Sequence, residues 1–266
     1  MSDSVAIIGG GGLLGTSLQR RLTSSKTVIY SSKQSSQVRP FDIGSKDTWD
    51  PLLDQAHKKV ILLSWRHLDD YHTRKHITEN LLDTIQLVEQ LIDRGLEELV
   101  VAGTCYEYGL KTGCLSSTLE TQPVTTYGLA KDLLNKSLTA LCAQSHVRLC
   151  WTRIFFPYSP RQRSSSLLPS LLMAHKNGVN SLNLGPEDLI RDFVPIQQVV
   201  AQIIALINND SLYGVFNCGT GVPTSLRTFV ESMISKYSLN VKPIFNQLAP
   251  RPFEPFAAWA DMSCWD

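Results

Sequence analysis

Tyr127 and Lys131 stand four residues apart in the run Tyr127-Gly128-Leu129-Ala130-Lys131. On a helix that spacing puts both side chains on one face, about 6 Å apart along the axis. A phenol with an ordinary pKa of about 10 is a poor proton carrier at neutral pH. A neighbouring ammonium stabilises the phenolate and lowers that value. The phenol can then exchange a proton with an oxygen on a carbon that gains or loses hydride. Such pairs also arise by chance on any helix, so this one needs support from elsewhere in the chain. The support is at Ser4–Leu22, where the apolar run Val5–Ile8 leads into Gly9-Gly10-Gly11-Gly12 and then into Leu13-Leu14-Gly15 and a helical pattern. A glycine turn between strand and helix lets the backbone approach a pyrophosphate. The helix start behind it, at Leu13 and Leu14, offers N–H groups to the phosphates. Gly9, Gly12 and Gly15 fit one dinucleotide spacing; Gly10, Gly12 and Gly15 fit another. The bland alternative is a turn that only packs a helix on a strand.

The elements that must carry these residues alternate. After the first strand and helix, Thr27-Val28-Ile29-Tyr30 reads as a second strand. Dinucleotide folds place an acid near this strand's end for the 2′-hydroxyl of NAD(H), or a basic residue for the 2′-phosphate of NADP(H). Here Ser31, Ser32 and Lys33 follow, with no acid, which favours NADP(H) over NAD(H); the alternative is a solvated polar turn. Phe41-Asp42-Ile43-Gly44 precedes a short helix signal from Trp49 to Ala56. Lys59–Leu63 is a third strand. A helical stripe follows within Asp69–Arg94, carried by Leu81, Leu82, Ile85, Val88, Leu91 and Ile92 and closed by Gly95. Glu98–Ala102 is a fourth strand, ending at Gly103-Thr104. Thr125-Thr126 opens a helix that runs through Ala143, and Val147–Ile154 is the next strand. The alternation predicts an α/β fold, a Rossmann-type doubly wound parallel sheet over residues 1–155. From Pro157 prolines and a polar run break the pattern. Residues 156–266 read as a smaller C-terminal substrate-binding lobe that returns some elements to the main sheet.

The bulk properties exclude several classes. The chain has 266 residues, 43% hydrophobic and 18% charged, with net charge +1. That balance gives no electrostatic reason to expect nucleic acid or a membrane surface as partner. No run is long and apolar enough to cross a bilayer, and no cleavable leader pattern opens the chain. The six cysteines (Cys105, Cys114, Cys142, Cys150, Cys218, Cys264) show no C-x-x-C spacing. They read as thiols of a reducing compartment, which predicts a cytoplasmic protein. His67, His72 and His76 cluster, with His72 and His76 four residues apart, but a metal site would need a third ligand and usually a nearby carboxylate. They read as surface or interface histidines, and no metal is expected. The serine-rich bits Ser31–Ser36 and Ser164–Ser166 are too short to be linkers.

The motifs, in their order and spacing, resemble those of the extended short-chain dehydrogenase/reductases, in particular nucleotide-sugar epimerases, dehydratases and ketoreductases. The resemblance covers nearly the whole chain. Gly9, Gly12 and Gly15 match the dinucleotide turn, Asp42-Ile43 the adenine-contacting pair, and Asn80 with Thr84 the N-x-x-x-T element. Gly103–Gly109 is similar to the Ser/Thr-bearing turn that ends in Tyr-Gly. Arg153–Pro160 matches R-x-x-N-x-Y-G-P imperfectly, with Phe156 at the asparagine place. Arg191-Asp192-Phe193, Asn217–Ser225 and Arg251-Pro252-Phe253-Glu254 match later segments. The resemblance implies that Thr104 hydrogen-bonds the reacting sugar oxygen beside Tyr127 and that Lys131 also binds the nicotinamide ribose. It implies that Arg191 and Arg251 hold the substrate diphosphate, a task that suits arginine's planar fork. A surface salt bridge is the ordinary alternative for each arginine. The places that carry Asp-Glu in the family's dehydratases hold Cys105 and Tyr106, which argues against 4,6-dehydration. Tyr106 also fills the cysteine place of enzymes like GDP-fucose synthase, and Ser164–Pro169 contains no histidine, which argues against that epimerisation. Thr104, Tyr127 and Lys131 with a nicotinamide suffice for reduction of a nucleotide-linked 4-keto-6-deoxy sugar, the first expectation. C4 epimerisation of a UDP-sugar is the alternative enzyme reading, and a non-catalytic dinucleotide-binding sensor is a third. The stripe Leu81–Ile92 reads mostly as core; the resemblance adds a homodimer through that helix and the Tyr-Lys helix.

Overall fold

A computed structural model describes residues 4–22, 27–33 and 38–265, so Gln34–Ser36 of the first serine-rich bit lie outside the described residues. Seven strands form one parallel sheet: β1 (Val5–Ile8), β2 (Thr27–Ser31), β3 (Arg39–Pro40), β4 (Lys59–Leu62), β5 (Glu98–Thr104), β6 (Arg148–Ile154) and β7 (Gly214–Cys218). Their order is β7-β6-β5-β4-β1-β2-β3. The chain thus winds outward from β1 to β3, crosses back to β4, and winds the other way. Val5 pairs with Thr27 on one side and with Lys59 on the other. A sheet wound in both directions leaves a crevice where the order reverses, beyond the carboxyl ends of β1 and β4.

The helices that cover the sheet are α1 (Leu13–Gln19), α2 (Leu82–Asp93), α3 (Thr126–Gln144) and α5 (Ile196–Asn208), with α4 (Leu167–Lys176) and α6 (Leu226–Tyr237) in the smaller lobe. Successive strand side chains point to opposite faces, and both faces are covered. Ala6, Ile8, Val60, Leu62, Leu99 and Val101 join Leu87, Val88, Leu91, Leu134 and Leu138 in one core. Ile7, Ile61, Val100 and Cys150 join Leu18 and the apolar face of α5 in the other. This is why the strands read as unbroken apolar runs rather than as alternations.

The second half rejoins the first, as β7 adds to the edge of the main sheet at β6. The strand Gly113–Leu115 in turn joins Ala257–Ala260, Ile190–Arg191 and Thr224–Ser225 in a four-stranded sheet. Within the second half, Asp192 is fully buried and accepts hydrogen bonds from the Thr220, Gly221 and Ala260 amides. A third core sets Leu168 and Leu171 of α4 against Phe229, Val230 and Met233 of α6.

Two boundaries differ from the sequence expectation. The Trp49–Ala56 helix is cut to Asp50–Leu53 after a short 3-10 turn at Lys46–Thr48. The Asp69–Arg94 helix begins only at His76, as a π-helical turn His76–Leu81 that runs into α2. The physical reason lies across the chain. Tyr127 N–H and the Thr126 hydroxyl donate to the carbonyls of Tyr71 and His72, drawing that segment onto the start of α3.

Candidate active site

The glycine turn sits at the crevice. Gly9 has φ of +89°, and a β-carbon there would lie 2.7 Å from the Ser64 amide nitrogen, so only glycine fits. Gly15 lets α1 press on the turn, because a β-carbon at Gly15 would strike Gly10. No side chain caps α1, and its first turn carries no acid. A β-carbon at Gly12 would meet only the Gly9 carbonyl, at 3.3 Å, which leaves the backbone approachable from outside. The first helical amides, those of Leu13, Leu14 and Gly15, have no partner within the helix. This cradle fits a dinucleotide's pyrophosphate. At the end of β2, Ser31 is buried and its hydroxyl accepts from the Lys33 amide, while Ser32 and Lys33 are exposed. Asp42 accepts from the Gly44 amide at 3.0 Å and Ile43 is buried, which fixes the segment after β3.

Thr104 ends β5 and caps the turn Cys105–Tyr108, accepting from the Tyr106 amide. Glu107 closes the cap by accepting from the Thr104 amide at 2.8 Å. It is completely buried and also accepts from Trp151 Nε1 and from Arg153 Nε. On α3, capped by Thr125, Tyr127 packs beside Tyr106 of this turn and Lys131 reaches β5 at Ala102. Burial, with the nearby Tyr71, pushes the Tyr127 phenol above its ordinary value, and the neighbouring Thr104 side chain opposes the push. Lys131 is buried and donates to the Ala102 carbonyl at 2.8 Å. Burial pushes its ammonium down to about 7, against the attraction of Glu107. The structure therefore brings Thr104, Tyr127 and Lys131 into one site.

An aromatic wall surrounds Tyr127, and the sequence reading had no sign of it. Tyr71 stacks on the phenol ring at 5.1 Å, and His76, Trp65 and Tyr106 lie at 5.3, 6.2 and 6.2 Å between centroids. Phe253, from the other end of the chain, packs against Tyr71 and Tyr106. Trp65, Tyr71 and His76 lie on or beside a stretch without periodicity, where aromatic density was the one available signal. His76 also corrects the surface or interface reading of the histidines. It is fully buried, bonded to Trp65 Nε1 and to the Asp70 carbonyl, and burial keeps it below the ordinary histidine value. His67 pairs with Glu79 and His72 is exposed. Among the described residues no group of three or more His, Cys, Asp or Glu is placed to hold a metal ion.

The arginines divide. Arg191 is buried, donates to the carbonyls of Ile190 and Phe256, pairs with Glu254 at 3.1 Å, and lies over the ring of Phe156. Arg251 is exposed and reaches the same carboxylate at 3.1 Å. Glu254 also accepts from the Tyr106 hydroxyl at 2.7 Å. Burial pushes its carboxyl up, but Tyr106, Arg191 and Arg251 together outweigh burial and hold it below its usual range. One carboxylate thus engages both arginines. Cys105, next to Thr104, is buried and its thiol is pushed upward by burial. Asn80 grips the main chain after β4, accepting from the Arg66 amide and donating to the Arg66 carbonyl, and Thr84 donates to the Asn80 carbonyl.

The sequence profile of the NAD dependent epimerase/dehydratase family matches residues 5–219. A dTDP-6-deoxy-L-talose 4-dehydrogenase (NAD(+)) from Aggregatibacter actinomycetemcomitans is 27% identical over 209 residues, covering 78% of this chain and 76% of that protein. Among solved structures, a UDP-N-acetylglucosamine 4-epimerase from Methanobrevibacter ruminantium superposes with TM-score 0.84 at 17% identity, covering 98% of this chain and 90% of that one. The UDP-glucuronic acid 4-epimerase from Bacillus cereus, solved with UDP-glucuronic acid and NAD, superposes with TM-score 0.82 at 21% identity over 98% and 90% of the two chains. These structural likenesses establish the fold. With the glycine cradle at the sheet's crevice and the Thr104, Tyr127 and Lys131 set beside it, the match over most of the length makes this chain an enzyme of the NAD dependent epimerase/dehydratase family.

Proposed function

We propose that this enzyme reduces the ketone of a nucleotide-linked 4-keto-6-deoxyhexose, or runs the same step in reverse. The observation that carries the reading is the gathering of Tyr127, Thr104 and Lys131 at one place, with Tyr106 engaged by Glu254. Gly9, Gly12, Leu13, Leu14 and Gly15 would hold a nicotinamide dinucleotide, with Asp42 and Ile43 for its adenine, and when bound it would supply the hydride. Tyr127 gives its proton to the carbonyl oxygen as that oxygen gains charge. Thr104 holds the same oxygen, and the Lys131 ammonium stabilises the phenolate left behind. The rings of Tyr71, Tyr106 and Phe253 offer an apolar wall to the sugar face next to C4, which suits a methyl group at C6. Arg251 and Arg191 receive the diphosphate when it displaces Glu254.

The β2 end, with Ser32 and Lys33 exposed and no acid, supports NADP(H) as the preferred dinucleotide. The name of the relative from Aggregatibacter carries NAD(+), so the test uses both. Leu82 on α2 and Leu129 and Leu133 on α3 are exposed, which supports a homodimer through those helices. Six unpaired cysteines support a cytoplasmic location. Among the described residues no helix is long and apolar enough to cross a membrane.

Oxidation of NADPH or NADH at 340 nm with dTDP-4-keto-6-deoxyglucose tests the reading. Steady turnover is expected, with a loss of roughly 10²–10⁴ in kcat for Tyr127→Phe. Interconversion of UDP-hexoses by protein carrying its own dinucleotide would replace this reading with C4 epimerisation. Dinucleotide binding without turnover of any sugar nucleotide would replace it with a sensor.

A further inference from the structure

Lys131 holds a charge in a place poorly equipped for one. An ammonium has three N–H donors. Among the described residues this one makes a single hydrogen bond, to the Ala102 carbonyl. The nearest carboxylate, Glu107, attracts it through space but is spent on Thr104, Trp151 and Arg153. The indole of Trp65 lies against the ammonium instead, its ring centroid 3.8 Å from Nζ. That is well inside the distance of about 6 Å at which an aromatic face attracts a cation, and the attraction is largest where water is excluded.

Trp65 is itself held in place. Its Nε1–H donates to His76 Nδ1 at 3.0 Å, and the two rings lie parallel within 16°. With Nδ1 accepting, Nε2 carries the proton and donates to the Asp70 carbonyl at 2.9 Å. His76 opens the π-helical turn that runs to Leu81, a rare geometry that concentrates at functional sites. The turn sets Asn80 beside it, and Asn80 fixes the main chain of Arg66, next to Trp65.

We propose that Trp65, aimed by His76, is a positioning residue for Lys131, its indole face standing in for an absent carboxylate and keeping the ammonium charged beside Tyr127. The titratable groups near Lys131 are Glu107 from the Thr104 turn, His76 from the π-helical turn and Tyr127, four residues before it on its own helix. Glu107 is held by Arg153, and His76 offers its Nδ1 lone pair to Trp65, so the indole is the adjustable part. The consequence for catalysis rests on the function proposed above; the electrostatic claim does not.

The experiment therefore uses ligand-free protein labelled with ¹³C at lysine Cε. The resonance lost in Lys131→Met is that of Lys131, and its shift is followed against pH. Trp65→Leu is expected to lower the midpoint by about one pH unit, a tenfold change in the protonation equilibrium. Trp65→Phe, which keeps a smaller π face, should lower it less. His76→Leu should lower it, whereas His76→Gln should leave it near the native value, because a glutamine can accept from Trp65 and donate to Asp70. If Trp65→Leu does not fold, the His76 pair decides. An unmoved midpoint in Trp65→Leu, or equal midpoints in the two His76 variants, would overturn the proposal. Neither result depends on which sugar nucleotide is turned over.

Discussion

Removing the Glu107 carboxylate should cost this protein more stability than removing any exposed charge. Glu107→Ala leaves three donors behind: the Thr104 amide at 2.8 Å, Trp151 Nε1 at 3.0 Å and Arg153 Nε at 2.8 Å. Arg153 is 5% exposed, so its guanidinium would remain as an uncompensated buried charge. Breaking such a pair from one side costs about 3–5 kcal/mol, mostly through that stranded charge. The control is the pair replaced on both sides, Glu107→Leu with Arg153→Met. It removes both charges and fills the volume, and should recover at least half of the loss. A residue of cost will remain, because Arg153 also donates to the Ser117 carbonyl and lies over the Tyr108 ring. Urea unfolding followed by tryptophan fluorescence measures the native protein, Glu107→Ala, the single replacements Glu107→Leu and Arg153→Met, and their combination. A loss below about 1 kcal/mol for Glu107→Ala, or a double replacement as costly as the two single ones added, would refute the reasoning.

Three further outcomes are expected. Gly9→Ala should weaken NADH binding, measured by fluorescence titration, by tenfold or more, because a side chain at φ +89° meets the Ser64 amide. His57 is buried, and burial together with the Arg39 charge lowers it from 6.5 to about 4. The unfolded chain then takes up the proton first, so its contribution is present above about pH 6.5 and is lost as pH falls toward 4. The loss reaches about 3 kcal/mol, and His57→Gln should flatten that limb of a stability–pH curve. Leu133→Glu on the exposed face of α3 should convert a dimer to a monomer in light scattering after gel filtration; native protein that is already monomeric would remove the dimer reading.

Much of the fold was legible because its signals are local. Val5–Ile8, Val60–Leu62 and Leu99–Ala102 are apolar at consecutive positions because helices cover both faces of their sheet. Thr125 could be read as the start of α3, and the structure shows its hydroxyl accepting from the Gly128 amide. The start of α2 could not be read, since the competing contacts come from Thr126 and Tyr127, some fifty residues on. The two arginines looked alike in the sequence. Arg191 proved to be buried and engaged because Glu254, 63 residues later, returns beside it.

Helix pitch and backbone sterics act over a few residues. The order of amino acids was therefore enough to put a phenol and an amine on one helix face and a glycine bend after a buried strand. What surrounds them came from long-range packing. Trp65, Tyr71, His76, Tyr106 and Phe253 meet around Tyr127 through the winding order of the sheet and the return of the C-terminal segment. Contacts between segments so far apart are set by how the strands are ordered and covered, and no spacing within any one segment records that.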